Sequence, residues 1–441
     1  MRSSSCDDVS EAITPSKTVH DTVNILHLSD LHFGLEKADN GVYKGNASRQ
    51  KRAFNTLIRT LVHESSVPND WKPDIIAITG DIAWSGSPDE YQKFEEEFLL
   101  PLLEALGELP IERVITCPGN HDIMRSISLG YERPHTSWEL EVSHISRESI
   151  AHARKDHFKG YTDFFYGSDS QKLCSSIILD EWPWLRFLVL NSAWDCRDNE
   201  DEGKLRVGLE LLEEVVDESD PDNEVIIALF HHPHVEVPDY DPIEKRKKMR
   251  NWLHISEREA LGDGDLCFAL YLDQHANFIL NGHIHKATDP THSKNAKSIQ
   301  LISGATYTND SVQYHARILK LNRYGDIEPL YRDLNNSLAS INGLWSVSEP
   351  KNFSALYSYW LHQNKVNELE RKRLEFLRNV EEMLKRWLSE EEKEVFFLEL
   401  ALQAIKDLFP EIELENKFST AYEIVEEVLE KINTLRLKGP R

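Results

Sequence analysis

The chain has 441 residues, 40% of them hydrophobic and 28% charged, which leaves room for one large domain and a smaller second one. A formal net charge of −25 disfavours nonspecific attachment to nucleic acid or anionic lipid, although it is compatible with a local basic patch. No run of about eighteen apolar residues occurs, so no membrane span is expected.

Residues 1–20 are polar and Ser-rich and lack the apolar centre of a secretory signal; they are expected to be a disordered leader. Val23–Leu28 (VNILHL) is a short apolar run ending at Ser29-Asp30 and reads as a buried strand with chemistry at its C-terminal end. Ala47–His63 has helical spacing, with Phe54, Leu57, Ile58 and Leu61 on one face. A second buried strand, Asp74–Thr79, ends at Gly80-Asp81. A helix over Asp89–Leu106 follows, and a third strand, Arg113–Cys117, ends at Pro118-Gly119-Asn120-His121. Strand and helix thus alternate, with a polar motif after each strand, where open α/β sheets place their ligand sites.

The His-rich, aromatic stretch Asp122–Leu173 reads as an insertion near the site. Strands resume at Leu185–Asn191 and Val225–Phe230, the second running into His231-His232-Pro233-His234, and at Phe278–Leu280, which leads into Gly282-His283-Ile284-His285. Ile299–Ser303, Ala316–Leu321 and Ile327–Leu334 follow, the last two joined as a hairpin through Asn322-Arg323-Tyr324-Gly325. Parallel units first and a β-rich stretch later suggest two sheets packed as a sandwich and flanked by helices. The expected domains are a catalytic domain over 21–335, with insertions at about 123–173 and 238–264, a linker over 336–365 and a helical C-terminal domain over 366–441. Capping-box signatures at Ser389/Glu392 and Thr420/Glu423 support the helical part.

Five cysteines are scattered, odd in number and form no C-x-x-C pair, which points to a reducing, cytoplasmic setting and away from disulfides or a thiolate metal site. The chemistry lies instead in Asp, Asn and His. Asp30 and His32 stand two apart, so on an extended strand end both side chains reach one ion, and His283 and His285 repeat that spacing. Asp81 follows a glycine that permits a tight turn and can bridge two cations with its two oxygens; Asn120 offers a neutral amide oxygen. A mixed oxygen and nitrogen set suits Mn2+, Fe or Zn2+ better than Ca2+.

The stretches LSDLH, TGD, PGNHD, FHHPH and NGHIH, in this order, resemble the motifs of the calcineurin-like metallophosphoesterase superfamily over Val23–Leu334. The resemblance implies an α/β fold, a four-layer αββα sandwich. It implies one metal held by Asp30, His32, Asp81 and His285 and a second by Asp81, Asn120, His231 and His283, with His232 the next candidate after His231. Two divalent ions are the implied cofactors, Mn2+ first and Fe or Zn2+ as alternatives. They would activate a bridging hydroxide for attack on a phosphate ester. The position of His121 implies a role at the leaving group, with Asp122 orienting it.

The wording of the motifs is most similar to the bacterial cyclic-nucleotide phosphodiesterase branch. The implied activity is a phosphodiesterase acting on nucleotides or nucleic-acid ends. The alternatives are a DNA or RNA nuclease, and a scaffold or regulatory subunit without turnover. In Glu244–Arg250 (EKRKKMR), Lys245, Arg246 and Lys248 are candidate substrate contacts that could hold a nucleotide phosphate or a nucleic-acid backbone. The other reading of this run is a solvated helix face, with Trp252 and His254 beside it able to stack on a base or to pack. The amphipathic C-terminal helices could pack on themselves or on the catalytic domain, or form a homo-oligomer or protein-partner interface.

Overall fold

A computed structural model describes residues 19–35, 46–124, 155–166 and 174–194, with shorter stretches between 196 and 253 and between 268 and 353. The chain divides into two compact units, Met1–Leu356 and Tyr357–Arg441, and the helical domain expected over 366–441 lies outside the described residues.

Two mixed sheets organise the first unit. In one, β1 (Thr22–Leu28), β2 (Ile75–Thr79) and β3 (Val114–Cys117) run parallel. β12 (Gln313–Asn322) and β13 (Leu330–Ser337) then continue it on the other side of β1 as an antiparallel hairpin. In the other, β5 (Trp182–Leu190), β6 (Val225–Leu229), β9 (Phe278–Asn281) and β11 (Ile299–Ile302) are parallel. The antiparallel strands β4 (Cys174–Leu179) and β10 (Thr291–His292) close its two edges.

Alternation along each strand assigns the layers. Leu26, Leu28, Ile76 and Ile78 share a cluster with Phe54, Leu57 and Leu61 of α1 (Asn46–Val62), and with Phe94 and Phe98. The last two lie on a continuous helical run made of α2 (Pro88–Phe94), a π-helical turn over Glu95–Leu99 and α3 (Leu100–Ala105). On the second sheet Leu188, Leu190, Ile226, Ala228 and Ile279 pack with Leu212, Val215, Phe268 and Leu272. The intervening residues, among them Val23, Ile25, Ile75, Leu185, Phe187 and Ile227, are also fully buried and face between the sheets. The order is helix, sheet, sheet, helix, as the sequence suggested.

Three local readings differ from the structure. β4 was not legible as a strand: its CSSIIL sequence is only partly buried at a sheet edge. The basic run is not a helix face, because Arg246–Arg250 is strand β8, paired antiparallel with β7 (Val237–Asp241). Within the expected linker, Ser346–Val347 (β14) and Lys351–Asn352 (β15) pair with β13. Trp345 anchors that segment: it is buried on α1, its indole N–H donating to the Ala53 carbonyl at 3.1 Å and its backbone N–H to Thr60 Oγ1 at 2.9 Å. In the insertion, the short helix α4 (Lys159–Phe165) packs Tyr161 and Phe164 against Tyr91. No helix among the described residues is long and apolar enough to cross a membrane.

Candidate metal centre

Every motif leaves the C-terminal end of a parallel strand: Asp30 and His32 follow β1, Asp81 follows β2, and Asn120, His121 and Asp122 follow β3. From the second sheet, His231 follows β6 and His283 and His285 follow β9. Backbone bonds zip the segments together. Leu31 and His32 donate to the Asp81 carbonyl at 2.8 and 2.9 Å, Asp30 donates to Gly80 at 3.0 Å, and Gly282 donates to His231 at 3.0 Å across the strand ends. Two glycines set the closeness of the approach. A Cβ on Gly119 would lie 2.2 Å from Asp81 Oδ1, and one on Gly282 would lie 1.8 Å from Ser29 Oγ and 2.8 Å from Asp30 Oδ2.

The result is two adjoining groups sharing Asp81. Asp30, His32, Asp81 and His285 each place one donor atom within 4.8 Å of the others. His285 Nε2 lies 3.3 Å from Asp30 Oδ1, and His32 Nε2 lies 3.5 Å from Asp81 Oδ2. On the other side His231 Nε2 is 3.3 Å from the same Asp81 Oδ2, 3.1 Å from Asn120 Oδ1 and 3.2 Å from His283 Nδ1, and His283 Nδ1 is 2.9 Å from Asn120 Oδ1. Asp81 therefore faces both groups through one oxygen rather than two. Its Oδ1 accepts the backbone N–H of His121 at 2.7 Å.

Ring orientations are fixed from outside. His32 donates from Nδ1 to the Tyr307 carbonyl at 3.0 Å, and His231 from Nδ1 to the Thr79 carbonyl at 2.7 Å, which turns both Nε2 atoms inward. His232 also lies close, with one nitrogen within 4.8 Å of the His231 and His283 nitrogens, but its Nδ1 sits 2.9 Å from Ser192 Oγ and its Nε2 3.8 Å from Cys196 Sγ. Of the pair, His231 is the one aimed at Asp81.

The chemistry of these groups suits cations. Asp30 Oδ1 and His32 Nε2 are fully buried and are left with long contacts to the facing ligand atoms, His285 Nε2 at 3.3 Å and Asp81 Oδ2 at 3.5 Å, an arrangement that an ion between them would complete. Burial pushes the Asp81 carboxyl up, but the charges of His231 and His121 and the hydrogen bonds from His231 and His32 outweigh it and hold the group well below its ordinary range. His231 shows the converse. Burial lowers it, and the Asp81 charge and hydrogen bond lift it to about 9. Burial, reinforced by the neighbouring imidazoles His232 and His231, holds His283 well down and keeps it a neutral donor. Two carboxylates, a neutral amide and four imidazoles at these distances fit a pair of divalent cations.

His121 and Asp122 follow Asn120 and take different partners. The His121 ring donates from Nδ1 to the Trp84 carbonyl at 2.9 Å and stacks on the Trp84 indole, centroids 4.3 Å apart at 23°. The Asp122 carboxylate takes N–H bonds from Ala83, Ile82 and Gly119 at 2.9, 3.3 and 2.8 Å and the Tyr91 hydroxyl at 2.8 Å, and so clamps the segments carrying Asp81 and Asn120. Burial and the nearby Asp81 charge push its pKa to about 6 against those donors.

Of the candidate substrate contacts, Arg246 and Lys248 lie at alternate positions of β8, opposite Asp241 and Asp239 in the register, and Lys245 lies outside the described residues. Trp252, two residues beyond β8, is buried with its ring edge-on to His283 at 4.8 Å, so it packs on the centre and is not an exposed stacking surface. His254 lies outside the described residues.

A family model for calcineurin-like phosphoesterases matches residues 23–287. Among solved structures, a dimetal phosphatase from Danio rerio is 14% identical, the match covering 75% of this chain and 99% of that one, with a TM-score of 0.39. A calcineurin-like phosphoesterase from Bacillus subtilis is 12% identical, covering 80% and 99%, with a TM-score of 0.33. A cold-active protein-tyrosine phosphatase from a Shewanella species is 13% identical, covering 76% and 83%, with a TM-score of 0.26. No curated protein matches the sequence. The family match begins on β1 and ends just past the His283–His285 segment, so it spans every strand end that converges on Asp81: the chain belongs to the calcineurin-like phosphoesterase family, which depends on a dinuclear metal centre.

Proposed function

We propose that this chain is a two-metal phosphodiesterase acting on nucleotides or nucleic-acid ends. The observation that carries the reading is Asp81 Oδ2, which lies 3.5 Å from His32 Nε2 on one side and 3.3 Å from His231 Nε2 on the other, at the junction of two ligand groups. Asp30, His32, Asp81 and His285 would hold one ion and Asp81, Asn120, His231 and His283 the other, with Mn2+ as the first metal to load. Two cations so held would supply Lewis-acid stabilisation of phosphoryl charge and an activated water at neutral pH. The chain's own groups do the rest. The Thr79 and Tyr307 carbonyls hold His231 and His32 in one tautomer each, the Asp122 carboxylate holds the loops at fixed spacing, and His121, held at Nδ1 by the Trp84 carbonyl, would serve the leaving oxygen. The wording LSDLHFG, HHPH and GHIH favours the diester branch over a phosphomonoesterase.

The test is turnover of bis-p-nitrophenyl phosphate and p-nitrophenyl phosphate by the Mn2+-loaded protein. Diester hydrolysis that exceeds monoester hydrolysis and is lost in Asp81→Ala is expected. Absence of turnover on either ester with two ions bound would point to a scaffold, and cleavage of single-stranded or plasmid DNA in preference to small diesters would point to a nuclease.

A further inference from the structure

Trp84 lies three residues beyond Asp81, and its backbone is as well fixed as the ligands themselves. Its N–H donates to the Phe33 carbonyl at 2.8 Å, Phe33 donates to Ile82 at 2.8 Å, and Ile82 and Ala83 are held by the Asp122 carboxylate. This rigid segment presents two features to His121: a carbonyl that accepts from Nδ1, and a half-buried indole lying nearly parallel to the imidazole. The ring of ligand His32 packs edge-on to both, with centroids 5.5 Å from Trp84 and 5.2 Å from His121. The carbonyl alone leaves the imidazole able to swing about the Nδ1–O axis; the stack removes that freedom.

We infer that Trp84 is a positioning residue for the reaction: through its carbonyl and its indole it holds the Nδ1 proton and the plane of His121, so that Nε2 is carried on the side away from the Trp84 carbonyl, where the doubly protonated ring donates its Nε2 proton to the leaving oxygen of the ester. This rests on the diesterase reading above. The metal ligands keep their own supports, so the effect of Trp84 is confined to leaving-group departure and does not extend to ion binding.

The experiment measures kcat for a series of methyl aryl phosphodiesters whose phenols rise in pKa, with Mn2+-loaded wild-type protein and the Trp84→Leu, Trp84→Phe, His121→Ala and Trp84→Leu/His121→Ala variants. Leucine fills the apolar volume without offering a flat ring, and phenylalanine restores one. Trp84→Leu should lose roughly 10²-fold on the poorest leaving group and under about threefold on p-nitrophenol, steepening the dependence toward that of His121→Ala. Trp84→Phe should stay near wild type, and the double variant should be no slower than His121→Ala alone, because the two residues act as one unit. Metal content should be unchanged throughout. A uniform loss across the series, or additive losses in the double variant, overturns the inference. Nitrogen-15 NMR of the imidazoles, with the His121 signal assigned by its loss in His121→Ala, reads the same geometry without turnover. Nδ1 is expected to keep its proton in the wild type in both the neutral and the doubly protonated ring, and neutral His121 in Trp84→Leu is expected to be a mixture of tautomers; a wild-type neutral ring protonated at Nε2 and bare at Nδ1 contradicts the inference. Wild-type protein that cleaves no diester while showing the expected tautomer would sink the diesterase reading and leave the positioning geometry standing.

Discussion

Five of the six described non-glycine residues with positive φ are candidate metal ligands: Asp30 (54°), His32 (53°), Asp81 (54°), His283 (72°) and His285 (53°). For a residue with a Cβ, the left-handed region costs roughly 1–2 kcal/mol, so the five together store on the order of 5–10 kcal/mol, comparable to the whole stability of a domain. His285 isolates the effect. Its ring is the most exposed of the four side chains in its group, with 29% accessible against 0% for Asp30 and His32 and 1% for Asp81, and its Nδ1 reaches Thr308 Oγ1 only at 3.5 Å. Removing the ring therefore disturbs little packing. In chelator-treated protein, His285→Gly should be more stable than His285→Ala. Relief of the Cβ contributes about 1–2 kcal/mol, and the extra freedom of glycine in the unfolded chain offsets about 0.5 kcal/mol of it. The net of about 1 kcal/mol corresponds to roughly 2–4 °C in Tm, or to a rise in the urea midpoint at unchanged m. Both variants should lose one ion. An alanine variant equal to or more stable than the glycine variant, the order usual for regular structure, would refute the claim that the backbone is strained there.

Gly282→Ala places a methyl 1.8 Å from Ser29 Oγ and 2.8 Å from Asp30 Oδ2, and should weaken Mn2+ binding more than tenfold, about 1.4 kcal/mol, in calorimetric titration. Tyr91→Phe removes the hydroxyl that donates to the Asp122 carboxylate at 2.8 Å and should cost about 1–2 kcal/mol in denaturant melts. Asp333 accepts from Arg317 at 2.7 Å, His315 at 3.2 Å and Lys351 at 2.9 Å; burial raises its pKa, but these partners outweigh burial and depress it. A depressed carboxyl contributes stability that is complete above its unfolded value of about 3.9 and is lost as pH falls below it. Asp333→Asn should flatten that acid limb of the stability curve and, by leaving Arg317 buried without its partner, cost about 3 kcal/mol at neutral pH. An unchanged acid limb would remove Asp333 from the account.

The strands bearing the motifs were legible because each is a short apolar run stopped by a polar group. VNILHL, DIIAIT and the run into His231 are buried on both faces, and the structure ends them within a residue or two of the expected positions. β4 and β8 were not legible because CSSIIL and RKKMR lack the alternation or the apolar run that marks a strand; pairing with a neighbour, rather than composition, makes them strands. Trp345 shows the same limit in the expected linker, where a single indole buried on α1 fixes a polar segment. At the centre, residue types and spacing pointed to the groups that meet around Asp81, because D-x-H and H-x-H at strand ends constrain where side chains go. The supports were hidden for a different reason. Thr79, Tyr307 and Trp84 act on the histidines through backbone carbonyls, which carry no trace in residue identity. Asp122, adjacent to His121 in sequence, takes four N–H and O–H donors from Ile82, Ala83, Gly119 and Tyr91, three of them backbone groups that residue identity does not reveal.

The central claim is that Asp81 joins two ion sites through one oxygen. A crystal of the Mn2+-loaded protein, measured at the manganese edge, tests it most directly. The account predicts two anomalous peaks flanking Asp81 Oδ2, one among Asp30, His32 and His285 and one among Asn120, His231 and His283, about 3.5–4 Å apart. A single peak, or a second peak on His232 and Cys196 away from Asn120, would contradict it.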